Sequence, residues 1–202
     1  MSRTLFTSRA GGDLKLPLNR ELLKRSLSLP TLHFMHQTHS DVVVVVAETG
    51  ENFECDALVT ATPGVGLAAL AADCMPITFS SENVVGIAHV GRIGLGSEIA
   101  SKTVMAMREL GARNILATIG PSICAACYEV SPEMYRDFIA QNPESSTSAR
   151  RHTLNLQRGA QAQLEEIGVS VVDLELCTLE SPRYFSYRRG GEKARQAGII
   201  SL

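Results

Sequence analysis

The stretch AADCMPITFSSENVVGIAH, which runs from Ala71 to His89, decides how this chain folds. Two short runs rich in β-branched and aromatic residues lie on either side of the polar cluster Ser80–Asn83, and this pattern predicts a β-hairpin. Pro76 in the first run belongs at the edge or at a bulge of a sheet, and it fits a strand that bends to open a site.

The turn of the hairpin determines which side chains face each other. A turn centred between Ser81 and Glu82 would place Cys74 opposite His89, with their Cβ atoms about 5 Å apart on one face. A thiolate and an imidazole at that spacing can share one metal ion, or they can act as nucleophile and base. The hairpin therefore predicts a chemically active pair.

The composition is that of a globular protein with no electrostatic attraction to nucleic acid or to anionic membranes. The 202 residues are 45% hydrophobic and 20% charged, and the formal net charge is −2. No apolar run has the length needed to cross a bilayer. Residues 1–12 lack the apolar core and cleavage site of a signal peptide. We therefore expect one domain over residues 1–202, located in the cytoplasm, with its oligomeric state left open.

Strands outnumber helices in the predicted secondary structure, and the hairpin makes some of the pairing antiparallel. This pattern favours a layered α+β domain with mixed sheets over a doubly wound parallel sheet. The unbroken run Val42–Val46 predicts a strand buried on both faces, and residues 141–151 predict a polar loop. Further strands are predicted at 5–9, 56–60, 65–71, 114–119, 169–176, 184–187 and 198–200, and helices at 19–27, 97–110, 131–140 and 154–167.

Five cysteines are an odd number in a domain large enough to build its own core, so reduced thiols are expected rather than disulfides. Cys124 and Cys127 form a Cys-x-x-Cys motif, which can bind metal or exchange disulfides. A zinc ribbon needs a second matching pair, and Cys55 and Cys177 do not form one. We therefore favour the interpretation that Cys124 and Cys127 are small structural residues.

Three of the five histidines, His33, His36 and His39, lie close together in the sequence. Such a cluster is either a group of loop histidines or a source of ligands. His36 and His39 would point to opposite faces of a regular strand, so at most one of them would join a site. One nitrogen from this cluster would complete a Cys-His-His set with Cys74 and His89, and three protein ligands with one open position are typical of catalytic zinc.

The segment 181–190 is basic, and its arginines could bind phosphate or a carboxylate, although a solvated basic turn has the same composition. The glycines at 91, 94 and 96 are not a phosphate-binding loop, because the following lysine and hydroxyl residue are missing. We expect these glycines to let the backbone pass close to the site.

The chain also contains a series of recognisable motifs in a fixed order. The series begins with Phe6-Thr7-Ser8-Arg9-Ala10-Gly11-Gly12 and His36-Gln37-Thr38-His39, and it continues with Ala72-Asp73-Cys74-Met75-Pro76, Ala88-His89-Val90-Gly91, Ile119-Gly120-Pro121-Ser122-Ile123, Tyr128-Glu129-Val130 and Tyr184-Phe185-Ser186-Tyr187-Arg188-Arg189. Together they resemble the YfiH family, also known as the multicopper polyphenol oxidase (laccase) domain, peptidoglycan editing factor PgeF and FAMIN-type purine nucleoside phosphorylase.

The resemblance implies an αββα-type domain with zinc bound by His39, Cys74 and His89. It also implies phosphorolysis of adenosine, inosine and methylthioadenosine and hydrolytic deamination of adenosine, so the partners would be a small nucleoside and phosphate. Copper is disfavoured, because a multicopper oxidase needs more histidine ligands than the five in this chain.

In addition to metal binding, five roles are predicted. Cys74 and Asp73 are predicted as catalytic residues, with Asp73 as a proton carrier. Arg9, His36 and Arg188 are predicted to bind the substrate.

The chain departs from the family pattern at two places near the expected substrate pocket. His89-Val90-Gly91-Arg92-Ile93-Gly94 stands where the family usually reads His-Ala-Gly-Trp-Arg-Gly, and the segment between Gly12 and His36 is shorter than usual. Two alternatives to a nucleoside enzyme therefore remain: an amidohydrolase that uses Cys74 to edit peptidoglycan precursors, and a zinc-binding domain without catalytic activity.

Overall fold

The computed structural model describes residues 2–47, 53–147 and 152–202, and two mixed β-sheets form its centre. The first sheet contains β1 (Arg3–Phe6), β2 (Thr31–His36), β4 (Phe53–Glu54), β6 (Val65–Ala71) and β11 (Gln196–Ser201), in the order β1-β11-β6-β2-β4. The second contains β3 (Val43–Val45), β5 (Ala57–Thr60), β7 (Met75–Ser80), β8 (Val85–Val90), β9 (Leu116–Ile119) and β10 (Ser170–Asp173), in the order β10-β9-β7-β8-β5-β3. The helices are α1 (Pro17–Ser26), α2 (Arg92–Gly96), α3 (Ile99–Glu109), α4 (Pro132–Gln141) and α5 (Leu156–Glu166).

The two sheets face each other, and helices cover their outer faces. Alternate residues of a strand point to opposite faces, so Leu67 of β6 and Ile87 of β8 meet in an apolar cluster between the sheets. Residues of α3 and α5 pack with the other face of the second sheet. Leu23 of α1 packs on the outer face of the first sheet. The predicted αββα layering and the mixed sheets are confirmed.

The hairpin formed by β7 and β8 differs from its predicted register. Its turn is centred one residue later than expected, so that Pro76, and not Cys74, faces His89. The hydroxyl of Ser81 fixes this turn by hydrogen bonds with the backbone of Val84. Cys74 consequently lies just before β7 begins.

Two other predictions require correction, and one short helix was not predicted. Val42–Val46 gives a short edge strand, and the Val45 side chain is 54% exposed because β3 has only β5 as a neighbour. The segment 184–187 is not a strand, because the side chain of Gln196 bonds the backbone of Phe185 and takes the place of a neighbouring strand. The glycine-rich connection forms the short helix α2, anchored by the buried Leu95.

Two helix ends lie where the capping residues of the sequence predict them. Ser131 caps α4, since its hydroxyl accepts a hydrogen bond from the Met134 amide, and Pro132 is the first helical residue. Gly111 follows α3 with a φ of +89°, a conformation that favours glycine. The predicted loop 141–151 lies partly outside the described residues. Among the residues that the structure describes, none of the helices has the length and apolar character needed to cross a membrane.

Candidate metal centre and active site

Three side chains from separate elements meet at one end of the second sheet. His39 follows β2, Cys74 precedes β7, and His89 lies near the end of β8. Their potential ligand atoms all lie within 4.8 Å of one another, and the Cys74 sulfur is 3.9 Å from Nε2 of His39. The structure thus brings together the three residues that the resemblance selected, and Cys74 and His89 meet despite the shifted register.

Asp56 orients both histidines, and the sequence analysis did not identify it. Its Oδ1 is 2.8 Å from Nδ1 of the buried His89, which leaves Nε2 of that ring available to an ion. Its Oδ2 accepts hydrogen bonds from the amides of Thr38 and Ser40 and from the Ser40 hydroxyl, and these bonds fix the loop that carries His39. An acidic residue immediately before a buried strand was the available signal.

The backbone is shaped to bring these side chains together. His39 has a φ of +60° and Asp73 a φ of +88°, values that residues with a Cβ rarely adopt and that occur often at functional sites. Gly91 is required for space: a Cβ there would lie 3.0 Å from the Cys74 sulfur and 3.3 Å from Cδ2 of His39. The expectation that glycine lets the backbone pass close to the site is confirmed at this position.

The electrostatics of the site favour charged forms of Cys74 and His89. Burial alone would raise the pKa of the Cys74 thiol, but the charge of His89 and a hydrogen bond with His39 lower this pKa to about 6. Burial alone would lower the pKa of His89, but the Cys74 thiolate and the Asp56 carboxylate raise it to about 9. Without a bound ion, the pair therefore exists as thiolate and imidazolium at neutral pH, and the thiolate is the form that binds metals.

Asp73 connects the site to the loop that carries Arg188. The carboxylate is almost buried, its Oδ1 accepts a hydrogen bond of 2.7 Å from the Thr178 hydroxyl, and its Oδ2 accepts one of 2.8 Å from the Arg188 amide. The Asp73 carbonyl also accepts a bond from the Ile123 amide. Both carboxylate oxygens thus position neighbouring loops, and the proton-carrying role of Asp73 stays a prediction.

A cavity of about 670 Å³ opens beside the three side chains. Two tyrosines, Tyr128 and Tyr187, contribute aromatic surface to its wall, and His36 and Gln37 contribute polar groups. Asp73 is the one acidic side chain in the wall among the described residues. The cationic side chains of the wall are Lys15, Arg20, Arg188 and Arg195.

The structure does not bring Arg9 to this cavity. Its guanidinium forms an ion pair of 2.9 Å with Glu192, donates to the carbonyls of Pro182 and Tyr184, and stacks on the Phe185 ring. Arg9 therefore stabilises the 182–192 loop. His36 and Arg188 line the cavity, and their role in substrate binding stays a prediction. The cations missed by the sequence analysis come from opposite ends of the chain, and no local motif marks them.

Three comparisons with known proteins agree with this architecture. A model of the family described as multi-copper polyphenol oxidoreductase laccase matches residues 10–202. The chain is 36% identical over 231 residues to a purine nucleoside phosphorylase of Corynebacterium glutamicum, and the alignment covers 99% of this chain and 94% of that protein. It is 41% identical over 197 residues to a purine nucleoside phosphorylase of Streptomyces griseus, covering 91% of this chain and 80% of that protein.

Solved structures of two other proteins have the same fold. A Neisseria meningitidis protein described as DUF152 superposes with a TM-score of 0.87 at 30% identity, over 100% of this chain and 94% of the other. The Bacillus licheniformis hypothetical protein YfiH superposes with a TM-score of 0.86 at 25% identity, over 100% of this chain and 92% of the other. The resemblance to the YfiH family is thereby confirmed.

Proposed function

Since the chain belongs to the multi-copper polyphenol oxidoreductase laccase family, which includes the YfiH-like proteins, we propose that it is a purine nucleoside phosphorylase. The observation that carries this proposal is a single cavity that combines a His-Cys-His cluster, two tyrosines and four cationic side chains. The relatives named purine nucleoside phosphorylase support the same reaction.

The donor set of His39, Cys74 and His89 fits a zinc ion. Zinc bonds of about 2.0 Å to nitrogen and 2.3 Å to sulfur require these atoms to be about 3.5 Å apart in a tetrahedron. The observed distance of 3.9 Å between Cys74 and His39 is close to this value. Zinc held by these residues would supply Lewis-acid chemistry at the cavity wall. Copper in a multicopper arrangement is disfavoured, because the chain has only five histidines.

The cationic side chains would bind phosphate, and the tyrosines would contact the nucleoside. In phosphorolysis, a phosphate oxygen forms a bond to the anomeric carbon of ribose, while the glycosidic bond breaks and its electron pair and a proton go to the purine. Lys15, Arg20, Arg188 and Arg195 would neutralise the phosphate charge and hold it for attack. The apolar faces of Tyr128 and Tyr187 provide flat surfaces suited to a purine.

The proposal extends to inosine and methylthioadenosine as further substrates, and to hydrolytic deamination of adenosine. In deamination, water adds to the carbon that carries the amino group, and ammonia leaves. His36 lines the same cavity and would contact the substrate. The cytoplasmic location expected from the sequence stays a prediction.

One observation favours a second candidate function. The Cys74 sulfur lies within 4.8 Å of a ring nitrogen of His89, and the direction of their pKa shifts favours a thiolate beside an imidazolium. Such a pair could attack an amide carbonyl and then donate a proton to the leaving amine. A peptidoglycan precursor would be a substrate for this chemistry. This amidase would keep its activity after metal removal, whereas the nucleoside enzyme would lose it.

The deciding experiment incubates zinc-loaded protein with adenosine, with and without phosphate, and separates the products by chromatography. We expect adenine only when phosphate is present, and no product from Cys74→Ala. Lys15→Gln should raise KM for phosphate several-fold, whereas Lys193→Gln, an exposed lysine outside the cavity, should leave it unchanged. Absence of adenine and inosine from protein shown to hold zinc would refute the proposal.

A further inference from the structure

A second cluster of metal-binding side chains lies outside the cavity, between the loops that follow β9 and β10. It comprises the sulfur atoms of Cys124, Cys127 and Cys177 and a carboxylate oxygen of Glu180, all within 4.8 Å of one another. Glu180 Oε1 is 3.4 Å from the sulfur of Cys127 and 3.8 Å from that of Cys124. All three cysteines are free thiols.

The backbone explains how these residues meet. Parallel pairing of β9 with β10 continues as a bridge between Ser122 and Cys177, which places Cys177 beside the start of the Cys-x-x-Cys segment. The Cys124 carbonyl accepts hydrogen bonds of 3.0 Å from the amides of Cys127 and Tyr128, and this turn directs two sulfurs to one side. The Cys124 amide in turn lies 3.5 Å from the sulfur of Cys177.

Cys177 and Glu180 therefore form a second pair of potential ligands, in which a carboxylate replaces one of the two thiols of a zinc-ribbon pair. Cys177-Thr178-Leu179-Glu180 repeats the two-residue spacing of Cys124-Ala125-Ala126-Cys127. A mixed pair of cysteine and glutamate is not visible in the spacing of cysteines alone, and the interpretation of Cys124 and Cys127 as small structural residues rests on that spacing.

We propose that these four residues bind a zinc ion as a structural site distinct from the His39 cluster. Three thiolates and one carboxylate fill all four tetrahedral positions, which is the arrangement of structural zinc, whereas a catalytic site keeps one position open. Sulfur atoms on a zinc tetrahedron with bonds of about 2.3 Å are about 3.8 Å apart. The observed cluster would reach this spacing by a small contraction.

The surroundings suit an ion whose ligand set carries excess negative charge. The Arg189 guanidinium donates hydrogen bonds to the carbonyls of Thr178, Leu179 and Ser181, so a positive charge lies on the loop that supplies Cys177 and Glu180. Cys177 is buried, whereas Glu180 is exposed at the rim and could close the site after the ion enters.

The proposed ion would also support the wall of the active cavity. Tyr128, which lines the cavity, directly follows Cys127, and Thr178, whose hydroxyl bonds Asp73, directly follows Cys177. An ion bound by both segments would hold these two contacts in place. The inference itself rests on the four ligands and does not require the proposed nucleoside chemistry.

Metal content provides the test. We expect two zinc ions per chain in full-length protein purified under reducing conditions, and one in Cys127→Ser and in Glu180→Gln. Glu175→Gln removes an exposed carboxylate from the same loop but outside the cluster, so this control should retain two. Cys74→Ala should retain one zinc ion, at the proposed second site. The cobalt-substituted form of Cys74→Ala should show a thiolate-to-cobalt charge-transfer band, and adding Cys127→Ser to this variant should abolish the band.

Two results would overturn the proposal. One is folded, reduced Cys74→Ala protein that binds neither zinc nor cobalt. The other is unchanged zinc content in Cys127→Ser and Glu180→Gln, with both variants folded as judged by circular dichroism. Glu180→Gln changes an exposed side chain, so the test does not depend on the folding of a cysteine variant.

Discussion

Asp56 is the residue on which the geometry of the candidate metal centre depends most. One carboxylate oxygen holds the ring of His89, and the other holds the loop that carries His39. These contacts hold the Asp56 pKa well below its usual value, since they outweigh the effect of its burial. The carboxylate therefore stays charged across the pH range in which the centre would bind an ion.

The first prediction concerns this residue. Asp56→Asn removes the charge that holds the Nδ1 proton of His89, so we expect zinc affinity to fall about 10- to 100-fold. Affinity is measured by competition with a chromophoric chelator. Asp137→Asn is the matched control, because Asp137 is an exposed aspartate on α4, outside the cluster of His39, Cys74 and His89. Equal affinities in the two variants would contradict the assigned role of Asp56.

At the residue scale, sequence reasoning succeeds where function concentrates rare residue types in short motifs. His39, Cys74 and His89 belong to such motifs, and the structure brings them together. Lys15 and Arg195 come to the cavity from opposite ends of the chain, because β1 and β11 pair at one edge of the first sheet. That pairing carries no signal in the residues themselves.

At the scale of elements, the β7–β8 hairpin and helix α2 meet at Gly91. The hairpin was identifiable from alternating β-prone runs, but its register was not, since a polar cluster admits several turns and Ser81 selects one by side-chain bonds. Gly91 begins the turn into α2 as its N-cap, and its lack of a side chain leaves room for the metal centre.

The second prediction tests this requirement for space. Gly91→Ala places a Cβ 3.0 Å from the Cys74 sulfur, so the sulfur or the helix must shift and zinc affinity should fall at least tenfold. Gly96→Ala, at the other end of α2, is the control, because its nearest neighbour would be an atom of Phe138 at an ordinary 3.6 Å. Unchanged zinc binding by folded Gly91→Ala would show that the helix moves freely and that the space is not needed.

At the scale of the whole molecule, the layered packing of the sheets is easier to predict from the sequence than the positions of the strands at the sheet edges. Buried alternation in β6 and β8 specifies which faces meet between the sheets, and this pattern is visible in the residues. The edge position of β3 depends on which strand lies beside it, and a valine run cannot show that. The extent of the domain over residues 1–202 stays a prediction.

The last prediction concerns the contribution of the metal centre to global stability. His39 lies on the connection from β2 in the first sheet to β3 in the second, and Cys74 and His89 lie at the end of the hairpin in the second sheet. An ion bound by all three ties this connection to the hairpin in the folded state alone. By mass action, zinc at about 1,000 times its Kd would add about 4 kcal/mol to the free energy of unfolding. For a chain of this size that is a rise in Tm of about 10 °C.

The measurement is a thermal melt after chelation and again after zinc is restored, both in the Cys127→Ser background. This background removes the proposed second site, so the change in Tm reports the His39, Cys74 and His89 centre alone. Adding Cys74→Ala to the same background should abolish the response to zinc. An equal rise in Tm with and without Cys74 would place the stabilising ion elsewhere, because this sulfur is the only thiol that the centre contains among the described residues.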